Sequence, residues 1–334
     1  MNNKITISNI AEALDISPIS VSRALSGQSG VSKELRDTVL TKAKEMGYVK
    51  CKSKNEYSIL VLYKRPYIQD NSNFTYMVQG IERALQMAGA DYDMEFVDKN
   101  IQEKMQLPYK LSKERNFDGI IFIGKFNNTY VNLLKEKVNH HVFYTGYSPA
   151  YDCDSVWFNF NNGGYKQCEY LIKKGHTDIG FIGSSSTLFR NKEKVLGIIS
   201  ALEDYGVPVK NQFFLHIEDN FDLNFDTEAM QLINSDNRPS AIICQWDFIA
   251  VKLIKLLYKQ GIRIPEDISI ISSGNTDMSS LTLPSLTTLD LNIEYSCEAA
   301  VNLLLKRIDN PYKPYENITI NSILIERDSV KDLK

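Results

Sequence analysis

From Ser58 onward, short runs rich in β-branched and aromatic residues alternate with helix-length amphipathic segments, and this alternation constrains the fold more than any other feature of the 334 residues. The runs are SILVLY (58–63), YDMEFV (92–97), GIIFIG (119–124), HVFYTG (141–146), SVWFNF (155–160), DIGFIGS (178–184), FFLHI (213–217), AIICQ (241–245) and SIISS (269–273). Between most of them lie segments such as 77–89, 162–174, 192–205 and 247–260, each long enough for a helix. Strand, helix and strand in succession imply parallel sheets covered by helices on both faces. Nine strands exceed one comfortable sheet, so two lobes are expected. A cleft between them, lined by loops at the C-terminal strand ends, is where a small ligand sits.

The first fifty residues follow a different pattern. Thr6 is placed to cap a helix whose Ile7, Ile10, Ala11 and Leu14 fall at i, i+3, i+4 and i+7. Ser17 followed by Pro18 opens a second helix, since proline at the first helical position gives up an N–H that has no partner there anyway. That helix carries Val21, Ala24 and Leu25 and is closed by Ser26 and Gly27. Ser32 caps a third, with Leu35, Val39, Ala43 and Met46 along one side and Gly47 at its end. The segment reads as a helix-turn-helix with a supporting helix, its second helix entering a DNA major groove by its N-terminal end. A helical hairpin for protein contacts is the alternative.

Charge agrees with a polyanion-binding head. Residues 1–56 carry nine Lys/Arg against six Asp/Glu, a net of +3, which leaves −6 on the rest of a chain whose total is −3. Hydrophobic residues at 43% and charged residues at 24% suit an ordinary globular protein that folds without staples. Cys51, Cys153, Cys168, Cys244 and Cys297 stand far apart with no CxxC pair, so buried or idle thiols are expected rather than a zinc ribbon or a disulfide framework. The N-terminus alternates apolar and polar residues too soon for a signal peptide and no stretch reaches membrane-spanning length, so the expected location is the cytoplasm.

The head motif I-A-x-x-L-x-I-S-x-x-S-V-S-R-A-L-S-G, then G-V-S-x-x-x-R-x-x-V and E-M-G-Y, resembles the LacI/GalR family of bacterial repressors in order and spacing. The likeness extends to NNGGYKQCEYLIKKGHTDIGFIG, similar to the opening of the family's second lobe, and to GIRIPEDISII and LPSLTTLDLN, similar to its closing strands and crossover. The resemblance implies an N-terminal all-α, lambda-repressor-like helix-turn-helix domain (1–49), a short linker (50–57) and a two-lobed α/β core (58–334) like the periplasmic sugar-binding proteins, with parallel sheets. The first lobe is expected over about 58–148 and 288–310, the second over about 149–287 and 311–330. It also implies a homodimer on a pseudo-palindromic operator.

Carried over by position, Ser20, Ser22 and Arg23 match DNA-contacting residues, while Pro18 and Ile19 occupy the two positions by which the family chooses bases. Both are apolar here, so base choice rests on thymine-methyl contact and on Ser20 and Arg23. Thr6 and Ser17, at the starts of the first two helices, complete the expected set with Lys50 and Lys52, which either track phosphate or belong to a solvated linker. One departure is large: family members follow the G-Y with a proline-asparagine pair and a hinge helix whose leucine wedges into the minor groove. Here KCKSKNEYS is shorter and has no such leucine, which puts the central DNA kink and the usual ligand-to-DNA route in question.

The family cleft grips a sugar or nucleobase with an arginine, an Asn-Asp pair and an Asp pair; the matching residues here are Lys194, Trp246-Asp247 and Gly274-Asn275, so only Asp247 is kept. A carboxylate accepts from two adjacent hydroxyls and Trp246 covers an apolar sugar face, which favours a carbohydrate. Lys194 and Arg190 equally suit a phosphorylated or acidic ligand. Phe74 and Phe221 fall in segments where the family places a stacking aromatic, and His176 matches a position with a structural role. For each cleft residue a core or surface position without ligand contact is the alternative. No cofactor is expected. Catalysis is disfavoured because GxGxxG, P-loop, GxSxG and HExxH are all absent and the four histidines have no metal-like spacing. A secreted solute-binding protein shares the core but needs an export signal where the helix-turn-helix stands. The remaining rival is a DNA-binding regulator whose core senses a protein or has lost its ligand site.

Overall fold

The computed structural model describes residues 5–26, 30–46, 48, 57–64, 71–113, 115–146, 152–184, 189–217, 221–234 and 237–334. Three helices form the head: α1 (Ile7–Leu14), α2 (Pro18–Ser26) and α3 (Lys33–Glu45). Thr6 caps α1 reciprocally with Asn9, each side chain serving the other's backbone N–H. The tight turn to α2 comes from Asp15, left-handed at φ 52, which a short polar side chain tolerates. Ser17 Oγ accepts from Ser20 N at 3.1 Å and Ser32 Oγ accepts from Leu35 N at 3.1 Å, so the two expected caps form. Ile10, Ala11, Val21, Ala24, Val39 and Ala43 make a small core of their own. Gly27, Gly47 and the linker lysines lie outside the described residues.

The first sheet begins with β1 (Ser58–Lys64), α4 (Asn71–Ala88), β2 (Asp91–Val97), α5 (Lys99–Glu103), α6 (Tyr109–Ser112), β3 (Gly119–Ile123), α7 (Asn128–Lys135), β4 (His140–Tyr144) and β5 (Asp154–Phe158). The chain then crosses into α8 (Phe160–Lys173), β6 (Ile179–Ser184), α9 (Phe189–Asp204), β7 (Phe214–Ile217), α10 (Phe221–Ile233), β8 (Ala241–Cys244), α11 (Asp247–Lys259), β9 (Ser269–Ser273), α12 (Asp277–Leu281) and β10 (Thr287–Asp290). It returns through α13 (Ile293–Asp309) and β11 (Asn317–Ile320), then ends in the second sheet with β12 (Ile323–Ile325). The two sheets have matching orders, β2-β1-β3-β4-β5-β11 and β7-β6-β8-β9-β10-β12. All pairings are parallel except β12 with β10. β1 and β3 are near-continuous apolar runs because helices cover both faces.

The nine expected strands are β1 to β9. The expected lobe limits, however, are displaced. β5 belongs to the first sheet, not the second; β10 belongs to the second, not the first; β11 edges the first. The reason is geometric. Each strand runs to its C-terminal end before the chain can step across at the floor of the cleft, so the crossings fall at Asn159, at Leu291–Asn292 and at Asn321. These three points are stitched together: Asn159 Nδ2 donates to Asn321 Oδ1 at 2.9 Å, Asn292 Nδ2 donates to the Asn321 carbonyl at 2.9 Å, and Asn159 N donates to the Ile320 carbonyl at 2.8 Å.

Far from the cleft, Asp154 at the start of β5 is fully buried and anchors the first lobe. It accepts from Arg307 Nε at 2.6 Å, Arg307 Nη2 at 3.1 Å, Lys313 Nζ at 2.8 Å and Glu316 N at 2.8 Å. Burial alone raises a carboxyl pKa; here the hydrogen bonds from Arg307 and Lys313 win and hold it below its ordinary value. His176 bridges Ser240 and the Lys331 carbonyl, tying down the C-terminal segment, the structural role expected of it. Cys153, Cys168, Cys244 and Cys297 are buried free thiols.

Candidate nucleic-acid interface and inter-lobe cleft

On α2 the inward residues Val21 and Ala24 fix which face is left over. Pro18, Ile19, Ser22 and Arg23 are exposed, Ile19 at 65%, and Ser20 is half-buried with its hydroxyl 2.9 Å from that of Ser17. A large aliphatic side chain held this open to water at a helix N-terminus is a contact surface in waiting. The Arg23 guanidinium runs beside Gly30, where a Cβ would come 3.4 Å from Nη1. Thr6 is exposed at the start of α1, so the seven expected contacts that fall on described residues gather at the starts of α1 and α2: Thr6, Ser17, Pro18, Ile19, Ser20 and, one turn on, Ser22 and Arg23. Lys50 and Lys52 lie outside the described residues.

The cleft wall of the second lobe is built by close helix packing. α8 and α9 approach through two glycines: a Cβ at Gly164 would lie 2.1 Å from the Lys194 carbonyl oxygen, and one at Gly197 would lie 1.9 Å from that of Asn161. This approach presses Lys194 inward until only 3% of it is exposed. Its Nζ donates to the Gln245 carbonyl at 3.1 Å and to Ser273 Oγ at 2.7 Å, at the ends of β8 and β9. Burial pushes its pKa down to about 7, with the neighbouring Cys244 and Asp247 acting in the opposite direction. One turn earlier on α9, buried Asn191 accepts from Gln245 Nε2.

Asp247 is 1% exposed and its two oxygens already have four donors. Oδ1 accepts from Ser272 Oγ at 2.5 Å and Thr288 Oγ1 at 2.7 Å; Oδ2 accepts from Thr276 N at 2.7 Å and Thr276 Oγ1 at 2.9 Å. The expected role of a carboxylate open to two ligand hydroxyls is therefore corrected: in this arrangement Asp247 braces the ends of β9, β10 and α11. Asn275, left-handed at φ 47, is similarly engaged, donating to Asp290 Oδ2 at 2.9 Å and accepting from Arg327 Nη2 at 2.7 Å. Trp246 is 9% exposed and meets Phe160 edge-on with centroids 5.9 Å apart. Phe74, half-buried on α4, meets Tyr63 edge-on at 5.9 Å from the first-lobe side. The side chains of Arg190 and Phe221 lie outside the described residues.

Sequence reasoning passed over Asn73, Asn191, Gln245, Ser273 and Phe160. Asn73 is the most informative: it is 3% exposed, lies against Gly274 across the cleft, and its Oδ1 has no hydrogen-bond partner. A buried acceptor left unsatisfied costs about 1–3 kcal/mol, and a ligand donor removes that cost. The signals available were small ones: Asn191 stands three residues before Lys194 on one helix face, and Gln245 directly precedes Trp246. Among the described residues no group of three or more His, Cys, Asp or Glu could hold a metal ion, and no helix is long and apolar enough to cross a membrane.

The family model for the periplasmic binding protein-like domain matches residues 168–330. An HTH-type transcriptional repressor named ExuR from Bacillus subtilis is 25% identical over 98% of this chain and 99% of its own length. PurR from Photobacterium profundum, also named an HTH-type transcriptional repressor, is 25% identical over the same shares. Among solved structures, the complex of the regulator CelR with cellobiose superposes with TM-score 0.70 at 18% identity, covering 98% of this chain and 100% of that one. The Lac repressor dimer bound to operator and the anti-inducer ONPF gives TM-score 0.68 at 19% identity over 98% and 100%. The head motif, the paired sheets with three crossings and the full-length relatives converge: over nearly its whole length this chain is similar to HTH-type transcriptional repressors, and it shares the fold of the CelR and Lac repressor structures.

Proposed function

We propose that the protein is a cytoplasmic, sequence-specific transcriptional repressor whose operator affinity is set by a small molecule bound between the two lobes. The observation that carries the DNA-binding half is α2: its inner face is consumed by the core of the head, while Pro18, Ile19, Ser22 and Arg23 stand exposed beside the Ser17 cap. Inserted in a major groove, Ile19 meets thymine methyls, Arg23 reaches a guanine edge or a phosphate, and the N–H groups at the start of α2 face the backbone. Thr6, Lys50 and Lys52 supply further phosphate contacts. A homodimer on a pseudo-palindromic operator follows from the family's geometry, and no catalytic step is part of this reading.

For the core, the unpartnered Asn73 Oδ1, with the Phe160–Trp246 and Phe74–Tyr63 aromatic pairs, supports a neutral polyhydroxyl ligand such as a sugar. The CelR structure holds cellobiose, and a LacI family regulator from Enterococcus faecium, of similar fold, holds ribose. A second reading has its own support: Lys194, Asp247 and Asn275 are satisfied internally, as expected of a core that senses a protein or has lost its effector.

The deciding experiment titrates the full-length protein against its own upstream DNA and a scrambled duplex, at two salt concentrations, with and without a panel of sugars and sugar phosphates. Specific binding shifted by one compound is expected; equal, salt-sensitive binding to both duplexes refutes sequence-specific recognition of that DNA. In the same assay Arg23→Ala lowers specific affinity about 10- to 100-fold while the melting temperature of the core stays put. A comparable loss of core stability refutes the assignment of Arg23.

A further inference from the structure

Tyr76 lies on α4 in the first lobe and Asp277 opens α12 in the second, yet the Tyr76 hydroxyl donates to Asp277 Oδ2 at 2.8 Å. One turn earlier on the same face of α4, Asn73 presses against the turn that leads into α12: a Cβ added at Gly274 would lie 3.0 Å from Asn73 Nδ2 and 2.9 Å from Asp247 Oδ2. That turn has a fixed shape of its own, with Gly274 at φ 136 and Asn275 at φ 47, and Asp247 bonds to Thr276 within it. Beneath it, one apolar cluster runs unbroken from Tyr63, Tyr144 and Phe158 of the first lobe to Cys244, Trp246 and Ile249 of the second. The lobes are thus in contact at this turn and through the apolar cluster.

We infer that the first turns of α4 and the Gly274–Asp277 turn form a latch that holds the two lobes together, with the Tyr76–Asp277 hydrogen bond as its releasable element. Tyr76 is 38% exposed, so water can replace the bond at once when the lobes part. Asn73, deeper and with its Oδ1 unpartnered, marks the side of the latch from which a bound molecule would reinforce it. A single hydrogen bond open to water contributes modestly and changes the ratio of closed to open molecules by roughly two- to tenfold. Closure is thereby left poised rather than locked, and Asp277 would adjust the threshold at which a ligand closes the lobes.

This deepens the effector-site reading, but its test uses no effector, so the two can fail separately. The chain has two tryptophans. In the full-length protein carrying Trp157→Phe, Trp246 at the cleft floor is the remaining emitter, and acrylamide quenching reports how far the cleft opens. Tyr76→Phe and Asp277→Ala, made separately on the two lobes, should each raise the quenching constant and the radius of gyration from small-angle scattering. The double variant should go no further than either single one. Melting temperatures within about 2 °C of the parent show that each variant folds, as expected for exposed positions. Unchanged quenching and unchanged radius in both folded single variants, or fully additive effects in the double one, overturn the latch.

Discussion

Lys194 offers the sharpest test of how the cleft wall is built. Its ammonium is wholly buried, has two neutral oxygen partners and titrates near pH 7 in the folded protein against 10.5 for an ordinary lysine. A lysine lowered on folding has a definite sign. Below pH 7 both folded and unfolded chains hold the proton and the folded state carries the full cost of burying it. Between 7 and 10.5 the unfolded chain binds a proton that the folded one has released, so stability rises with pH across that window. From pH 7 to pH 9 the gain is about 2 kcal/mol, taking about 1.4 kcal/mol per pKa unit and a half-titrated start. The reference is Lys194→Met, which fills the same space and cannot titrate. Thermal unfolding followed by circular dichroism at both pH values should show the wild type gaining about 4–8 °C relative to that variant as pH rises. Parallel pH dependence, within about 1 °C, would mean that Lys194 stays charged in its pocket and that the burial argument is wrong.

Two further outcomes follow from packing. Asp154→Asn leaves Arg307 and Lys313 buried without their counter-charge and should cost about 3–5 kcal/mol at neutral pH, seen as a lowered urea midpoint. Because the Asp154 pKa is lowered on folding, the wild-type advantage is lost on acidification below the ordinary carboxylate range; an advantage that persists there contradicts the assigned charge state. Gly197→Ala drives a methyl into the Asn161 carbonyl and should force α8 and α9 apart, lowering the melting temperature by several degrees; an unchanged melting curve would show that the helices are not in backbone contact.

The parts of this molecule that were legible in sequence are those whose signal is local. The nine β-branched runs and the caps at Thr6, Ser17 and Ser32 announce themselves within a few residues. β10, β11 and β12 do not: TTLD, NITI and ILI are three or four residues long, and NITI, at the edge of its sheet, is half exposed. The lobe limits were misplaced because the crossings at Asn159, Leu291–Asn292 and Asn321 carry neither Gly nor Pro to mark them. The cleft shows the same division. Lys194, Trp246 and Asp247 could be located by position, but not the fact that Asp247 is saturated, since its donors Ser272, Thr276 and Thr288 come from 25 to 41 residues away. Asn73 was missed for a like reason: its significance lies in Gly274, brought to it only by the meeting of two lobes.

The three asparagine-stitched crossings mean that neither lobe is a continuous stretch of chain. Any cut that frees the second sheet as one piece must either lose β12 or carry α13 and β11 with it, and in the second case the buried Ala300, Val301, Leu303 and Leu304 of α13 would face water with nothing to cover them. The head is different, since its three helices close a core within the first fifty residues. Gene fragments of this protein should therefore divide cleanly once, between head and core, and nowhere inside the core. Its two lobes are therefore expected to be inherited, exchanged and degraded as one object.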